Sequence, residues 1–266
     1  MMKFISFGSG SSGNCYYLST GTDALLIDVG VGIRALKHNF SNYGISFNSI
    51  HNILITHDHA DHVKSVGSLS SQYNLPVFAT HKVHEGIFNN KYIKKKIHEP
   101  NINYVEKGKE VKIGDFLVTP FNVPHDSTDN VGYVIKNNGI TLSLITDCGH
   151  ITEEMPEIIS DSDYLIIEAN HDLKMLENGP YPIYLQNRVK GSYGHLSNGD
   201  CAKAIAENAS DKLKHIWLCH LSEKNNTPEK ARTTVQTALD EEGIRIGEDL
   251  KLDVLDRKSP SEIFEL

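Results

Sequence analysis

Long apolar runs are missing from this 266-residue chain. The longest, such as those at 164–167 and 216–219, are strand-sized, far short of the ~20 residues that cross a bilayer. The opening MMKFISFGSG carries one lysine and reaches glycine before any extended apolar stretch, so no secretory leader is expected. Cysteine is scarce: Cys15, Cys148, Cys201 and Cys219 stand far apart, without a CxxC pair. No disulfide framework is expected, and the four read as reduced, mostly buried thiols of a cytoplasmic protein. An excess of positive charge is lacking too. The formal net charge is −8, which argues against coating nucleic acid through bulk charge. It leaves room for a nucleic-acid enzyme whose positive potential comes from a local patch and bound divalent ions. No linker, low-complexity tract or helical repeat interrupts the chain, so residues 1–266 read as one domain.

Histidine is abundant, with 14 residues. Strands are expected at 3–7, 15–19, 24–28, 53–56, 76–79, 102–105, 110–113, 116–122, 164–168 and 216–219. A further strand alternates through Ile140, Leu142 and Leu144 and ends at Asp147. Helical spacing marks Ile33, Leu36 and Phe40, then Val63, Val66 and Leu69, a segment after His81, and the stretches 199–208 and 228–239. Strands in blocks separated by single helices describe two sheets packed face to face with helices outside, not a doubly wound parallel sheet.

The densest chemical signal is His57-Asp58-His59-Ala60-Asp61-His62, directly after an apolar strand. His57 and His59, two apart in an extended turn, can address one ion, while Asp61 and His62 at the next helix start can address a neighbour. Imidazole and carboxylate without thiolate suit Zn²⁺, Mn²⁺ or Fe²⁺. Three more candidates each close an apolar strand: His125 after FLVTPFNVP, Asp147 after ITLSLIT and His220 after HIWLC. Strand ends along one sheet edge converge. Seven ligands then divide into His57, His59 and His125 on one ion and Asp61, His62 and His220 on the other, with Asp147 between them. A hydroxide bridging two ions ~3.5–4 Å apart is a nucleophile available at neutral pH. Asp58, the acid of the motif that is not a ligand, is expected to accept an N–H from a ligand histidine.

THDHADH resembles the HxHxDH signature of the metallo-β-lactamase superfamily, with His125, Asp147 and His220 where its later ligands fall. The resemblance implies an α+β fold, a four-layer αββα sandwich with a dinuclear site at one edge. No large domain separates Asp147 from His220, no long flexible arm is evident, and no cysteine ligand is present, which disfavours clamp-bearing RNA-processing enzymes, tRNase Z and lactamases. GSGSSGNCYYL, EANHDLKMLENGPYP, GHLSN and CHLSEKNNTPEKA are similar to the YycJ/WalJ-type branch, cytoplasmic bacterial proteins regarded as 5′-to-3′ DNA exonucleases.

Glu168 and His195 are placed like the paired Glu and His motifs of tRNase Z-like phosphodiesterases, where the histidine protonates the leaving oxygen. A carboxylate against the ring would raise its pKa and fix its orientation. Ser11, Ser12 and Asn14 form a glycine-flanked turn suited to a phosphate or simply to a tight connection. Ser197 reads as a helix N-cap. Arg188 and Lys190 are candidates for the substrate backbone, and Asn225 and Asn226 for the site rim or a turn. Residues 81–99 hold five lysines, Lys82, Lys91, Lys94, Lys95 and Lys96, against Glu85 and Glu99, a patch able to guide a strand or merely a solvated face. Two divalent ions and a nucleic-acid substrate with DNA ends are thus expected, with no membrane partner. A small or cyclic-nucleotide phosphodiester is the alternative substrate. A non-catalytic metal-binding scaffold is the alternative class, disfavoured because no ligand is missing.

Overall fold

A computed structural model describes residues 1–266. In chain order it holds β1 (Lys3–Gly8), β2 (Cys15–Ser19), β3 (Ala24–Ile27), α1 (Ile33–Asn42), β4 (Asn52–Leu54), α2 (Ala60–Val63), α3 (Val66–Tyr73), β5 (Val77–Ala79), α4 (His81–Asn89), β6 (Ile102–Tyr104), β7 (Val111–Ile113) and β8 (Phe116–Asn122). There follow β9 (Val131–Asn137), β10 (Ile140–Ile145), α5 (Met155–Ser160), β11 (Tyr164–Glu168), α6 (Leu173–Asn178), α7 (Ile183–Val189), α8 (Asn198–Asn208), β12 (His215–Cys219), α9 (Pro228–Glu241), β13 (Lys251–Val254) and β14 (Phe264–Glu265). One sheet is ordered β14-β1-β2-β3-β4-β5-β6 and the other β13-β12-β11-β10-β9-β8-β7. The chain divides into two compact units, Met1–Pro120 with Ser127–Val131 and Asp256–Leu266, and Phe121–Asp126 with Gly132–Leu255.

Both sheets follow one plan. In the first, β1, β2 and β3 pair antiparallel, and β3 to β6 run parallel. In the second, β9 and β10 pair antiparallel, and β10 to β13 run parallel. Parallel neighbours need crossover connections, and α1, α3 and α4 supply them in the first unit and α5, α8 and α9 in the second. The parallel strands are correspondingly apolar along their length: β3, β4, β11 and β12 are buried at every residue.

Each unit has its own core. In the first, Phe7, Phe40 and Phe47 pack in series, with Phe40 stacked on Phe47 at 4.5 Å and Phe47 on Tyr73 at 4.7 Å between ring centroids. In the second, Ile167, Ile205, Leu218 and Val235 join α8 and α9 to the sheet. All four cysteines are buried and free. No helix is long and apolar enough to cross a membrane.

Strand β9 is absent from the segments expected from sequence. Its VGYVIKN alternation is interrupted by Gly132, which is there because Phe121 packs on it: a Cβ would sit 2.2 Å from the ring tip. Helix starts are legible. Thr80, Ser197 and Thr227 accept the Val83, Asp200 and Lys230 amides as N-caps of α4, α8 and α9.

Candidate metal centre

In the first unit the site grows from the carboxyl ends of β3 and β4, where open sheets of parallel strands commonly place their ligands. Asp28 follows β3 in the left-handed region, φ 56°, a conformation that costs a non-glycine residue about 1–3 kcal/mol and persists only where the surroundings demand it. What demands it is a buried network. Asp28 Oδ1 accepts the Thr56 amide at 2.9 Å, and Oδ2 accepts the Thr56 hydroxyl at 2.8 Å and His62 Nδ1 at 2.7 Å. Because the Thr56 hydroxyl donates to Asp28, it must accept from His57 Nδ1, 3.0 Å away. Both rings therefore carry their proton on Nδ1 and leave Nε2 as the acceptor nitrogen, the tautomer a metal ligand needs, although the Nε2 of His62 here takes the Asn14 side-chain amide at 2.8 Å. The His57 ring lies 4.0 Å from that of His62 and 4.8 Å from that of His59, centroid to centroid. Asp61 Oδ2 lies 3.7 Å from His62 Nε2.

Gly30 lets this turn close. Its ideal Cβ would fall 1.5 Å from the Asp61 carbonyl oxygen, backbone that cannot yield unless α2 moves with both Asp61 and His62. Gly30→Ala is expected to cost about 1–3 kcal/mol or more through overpacking, read as a lowered Tm; an unchanged Tm would contradict the close approach.

Two expectations change in this unit. Asp58 does not meet a ligand histidine. Its carboxylate accepts the Thr128 amide at 3.1 Å and hydroxyl at 2.7 Å, and Gly86 of α4 packs against it, where a Cβ would be 2.2 Å from Oδ2. The histidine-orienting acid is Asp28, which the sequence reading omits. Asn14 is not at a surface turn but fully buried, donating to His62 Nε2 at 2.8 Å and to the Gly10 carbonyl at 3.2 Å. Ser11 and Ser12 stay exposed, with Ser12 Oγ donating to the Arg257 carbonyl at 3.3 Å. Asp28→Asn replaces one acceptor oxygen by a donor and is expected to weaken metal binding ~10–100-fold with the fold retained. Competition with a chromophoric chelator measures this, and unchanged affinity would leave Asp28 a purely structural role.

The second unit repeats the device. Asp147 follows β10 with φ 53° and His220 follows β12 with φ 54°. Asp147 Oδ2 accepts the Thr146 hydroxyl at 2.8 Å, while Oδ1 lies 3.3 Å from His220 Nδ1 and 3.7 Å from both His125 Nε2 and His195 Nδ1. His125 donates Nδ1–H to the Gly194 carbonyl at 2.9 Å, turning Nε2 toward Asp147. Glu168, at the end of β11 and fully buried, organises the rest. Oε1 accepts from His195 Nδ1 at 2.8 Å and His220 Nδ1 at 2.9 Å; Oε2 accepts the Cys148 and Leu196 amides at 2.8 and 3.0 Å.

Ligand-type atoms of Asp147, Glu168, His195 and His220 lie within 4.8 Å of one another. With both oxygens of Glu168 occupied by four donors, it acts through the histidines instead of as a ligand. Burial disfavours the charge on both Glu168 and His195. The pairing outweighs it: His195 holds the carboxylate well below the usual range, and Glu168, with help from Asp147, lifts the His195 ring above the usual histidine value. Burial, then the Glu168 and Asp147 charges, push the Cys219 thiol next in sequence to His220 well up.

Arg188, expected at the substrate backbone, is engaged with Asp126 by two contacts, Nε to Oδ2 at 2.5 Å and Nη2 to Oδ1 at 3.1 Å. Lys190 lies 3.6 Å from Glu177. Asn225 is buried in the turn after His220, with its amide groups on Ser222 Oγ, and not at a rim. Asn226 is buried against Asn198 and the carbonyls of Ala169 and Asn170.

The donor set is imidazole and carboxylate with the histidine tautomers fixed by buried acceptors, which fits hard-to-borderline divalent cations. A model of the beta-lactamase superfamily domain matches residues 24–217, and the chain belongs to that superfamily. Within it, the chain is 35% identical to exodeoxyribonuclease YycJ of Bacillus anthracis over 98% of both chains. It is 33% identical to exodeoxyribonuclease WalJ of Streptococcus pneumoniae over 94% of this chain and 93% of that one. The crystal structure of the metallo-beta-lactamase fold protein YhfI from Bacillus subtilis superposes with a TM-score of 0.73 at 16% identity, covering 98% of this chain and all of that one. The fold is therefore the α+β metallo-β-lactamase fold, and with these His and Asp groups it implies divalent metal ions.

Proposed function

We propose that residues 1–266 act as one dinuclear metal-dependent phosphodiesterase, an exodeoxyribonuclease working 5′ to 3′. In this reading His57, His59 and His125 hold one ion, Asp61, His62 and His220 the other, and Asp147 serves both. Zinc, manganese and iron all suit the donors. Such ions, when bound, supply Lewis acidity and lower the pKa of water toward neutrality.

The observation that carries the reading is Glu168, which grips both His220, a ligand candidate, and His195, which is not one. A phosphodiester releases a poor alkoxide leaving group. His195, oriented through Nδ1 and raised in pKa by the carboxylate beneath it, supplies the proton from its other nitrogen. Thioesters and lactones have no need of that pair. The names of the YycJ and WalJ relatives support DNA as the polymer, and the sequence motifs support the 5′ polarity. The four free, buried thiols accord with a reducing cytoplasm.

Duplex DNA labelled at either end tests this directly, alongside bis(p-nitrophenyl) phosphate. A 5′ label should leave as a mononucleotide at the first cut while a 3′ label passes through a descending ladder. Hydrolysis of the small ester with DNA left intact would move the substrate to a small phosphodiester, and inactivity on both with metal bound would leave a scaffold.

A further inference from the structure

We infer that the groove beside His59 is a binding strip for single-stranded DNA, with Tyr92 as a base-stacking platform and Lys91, Lys94 and Lys95 as phosphate contacts. This deepens the nuclease reading and rests on it.

A groove of about 660 Å³ runs within the first unit from the HDHADH turn to the end of α4. Asp58, His59 and Ala60 form one side, Asn89, Asn90, Lys91 and Tyr92 the other. One end is thus a ligand candidate, and the other is the segment with the chain's unusual run of lysines. The wall is anchored to the site. Asn90 Nδ2 donates to the Asp58 carbonyl at 2.8 Å, and Asn90 Oδ1 accepts the Tyr92 amide at 2.9 Å. Lys96 is spent on structure, donating to the carbonyls of Asn90 and Ile87 at 2.8 and 3.2 Å at the end of α4. The Tyr92 backbone is thereby tied to the Asp58 turn, while its side chain is 82% exposed.

Two features identify the occupant. First, Lys91, Lys94 and Lys95 are exposed and cluster within five residues, with no carboxylate paired to them. Of the acids lining the groove, Asp58 is held by Thr128 and only Glu85 faces solvent. In a chain of net charge −8, Lys91 on the groove wall, continued along the chain by Lys94 and Lys95, is complementary to a polyanion. Second, an exposed aromatic ring at the groove's edge offers a π-face to an unstacked base, as single-strand binding surfaces do. A duplex buries those faces, so the strand here is single.

The test uses the metal-loaded protein and a short fluorescent oligothymidylate with phosphorothioate linkages, which binds while resisting cleavage. Tyr92→Ala should weaken binding roughly tenfold, within the range measured for loss of one base–aromatic stack, and Tyr92→Phe should restore it. Replacing Lys91, Lys94 and Lys95 together by alanine should flatten the slope of log affinity against log salt by about 2, at ~0.7 per phosphate contact. All four side chains are exposed, so the variants should fold. Affinity and salt slope equal to the parent in both variants would overturn the assignment. If the parent cleaves DNA and the variants bind normally, the groove fails and the nuclease reading stands. If the parent neither binds nor cleaves DNA, both fail.

Discussion

His195→Ala is expected to lower turnover on DNA by ~10²–10⁴-fold, the usual contribution of a positioned acid, while metal content and fold stay as they are. The side chain is 17% exposed and its Nδ1 is committed to Glu168, so its removal vacates no ligand position. The defect should shrink on bis(p-nitrophenyl) phosphate, because p-nitrophenolate departs without a proton. Glu168→Gln should show the same dependence on leaving group. It should also disturb metal affinity, since the same oxygen that orients His195 orients His220. That double defect separates Glu168 from His195, and steady-state rates on the two substrates with metal analysis measure both. An equal loss on both esters would assign His195 to binding or structure.

Asp147→Ala should lose activity by at least ~10²-fold, as expected when a preorganised charge at the reacting centre is deleted, with metal falling from two per chain toward one. Asp147 is 2% exposed, strained in the left-handed region, and oriented by Thr146 and by the His125, His195 and His220 rings around it. Asp147→Asn run beside it separates relief of that backbone strain from the catalytic effect, since asparagine tolerates the same φ while lacking the charge. Both variants should be metal-poor. Full activity of either at equal metal content would break the assignment.

The ligand candidates were legible because they lie where apolar strands stop, a pattern that a one-dimensional reading detects. What such a reading cannot supply is the partner of each group. Asp58 illustrates this. It sits between two histidines in sequence, but in an extended turn successive side chains face opposite ways, so it points to Thr128 and Gly86 while its neighbours point elsewhere. Arg188 and Asn14 look free in sequence and are committed in space to Asp126 and His62.

Asp28 was detectable and missed. The segment LLIDVG matches LITDCG around Asp147, and both follow the strand at which a sheet turns from antiparallel to parallel, β3 and β10. Both acids share the left-handed backbone, and Gly30 and Gly149 two residues on both leave no room for a Cβ. The internal repeat, not periodicity, carries that information. His171, three residues past Glu168, is buried, and burial lowers its pKa to about 4.

The central claim, that seven side chains hold two ions in one centre, is tested most directly by anomalous diffraction from metal-loaded crystals. Two peaks are predicted, ~3.5–4 Å apart, one on His57, His59 and His125, the other on Asp61, His62 and His220, with Asp147 touching both. A single peak, or two peaks that leave out Asp147, would contradict it.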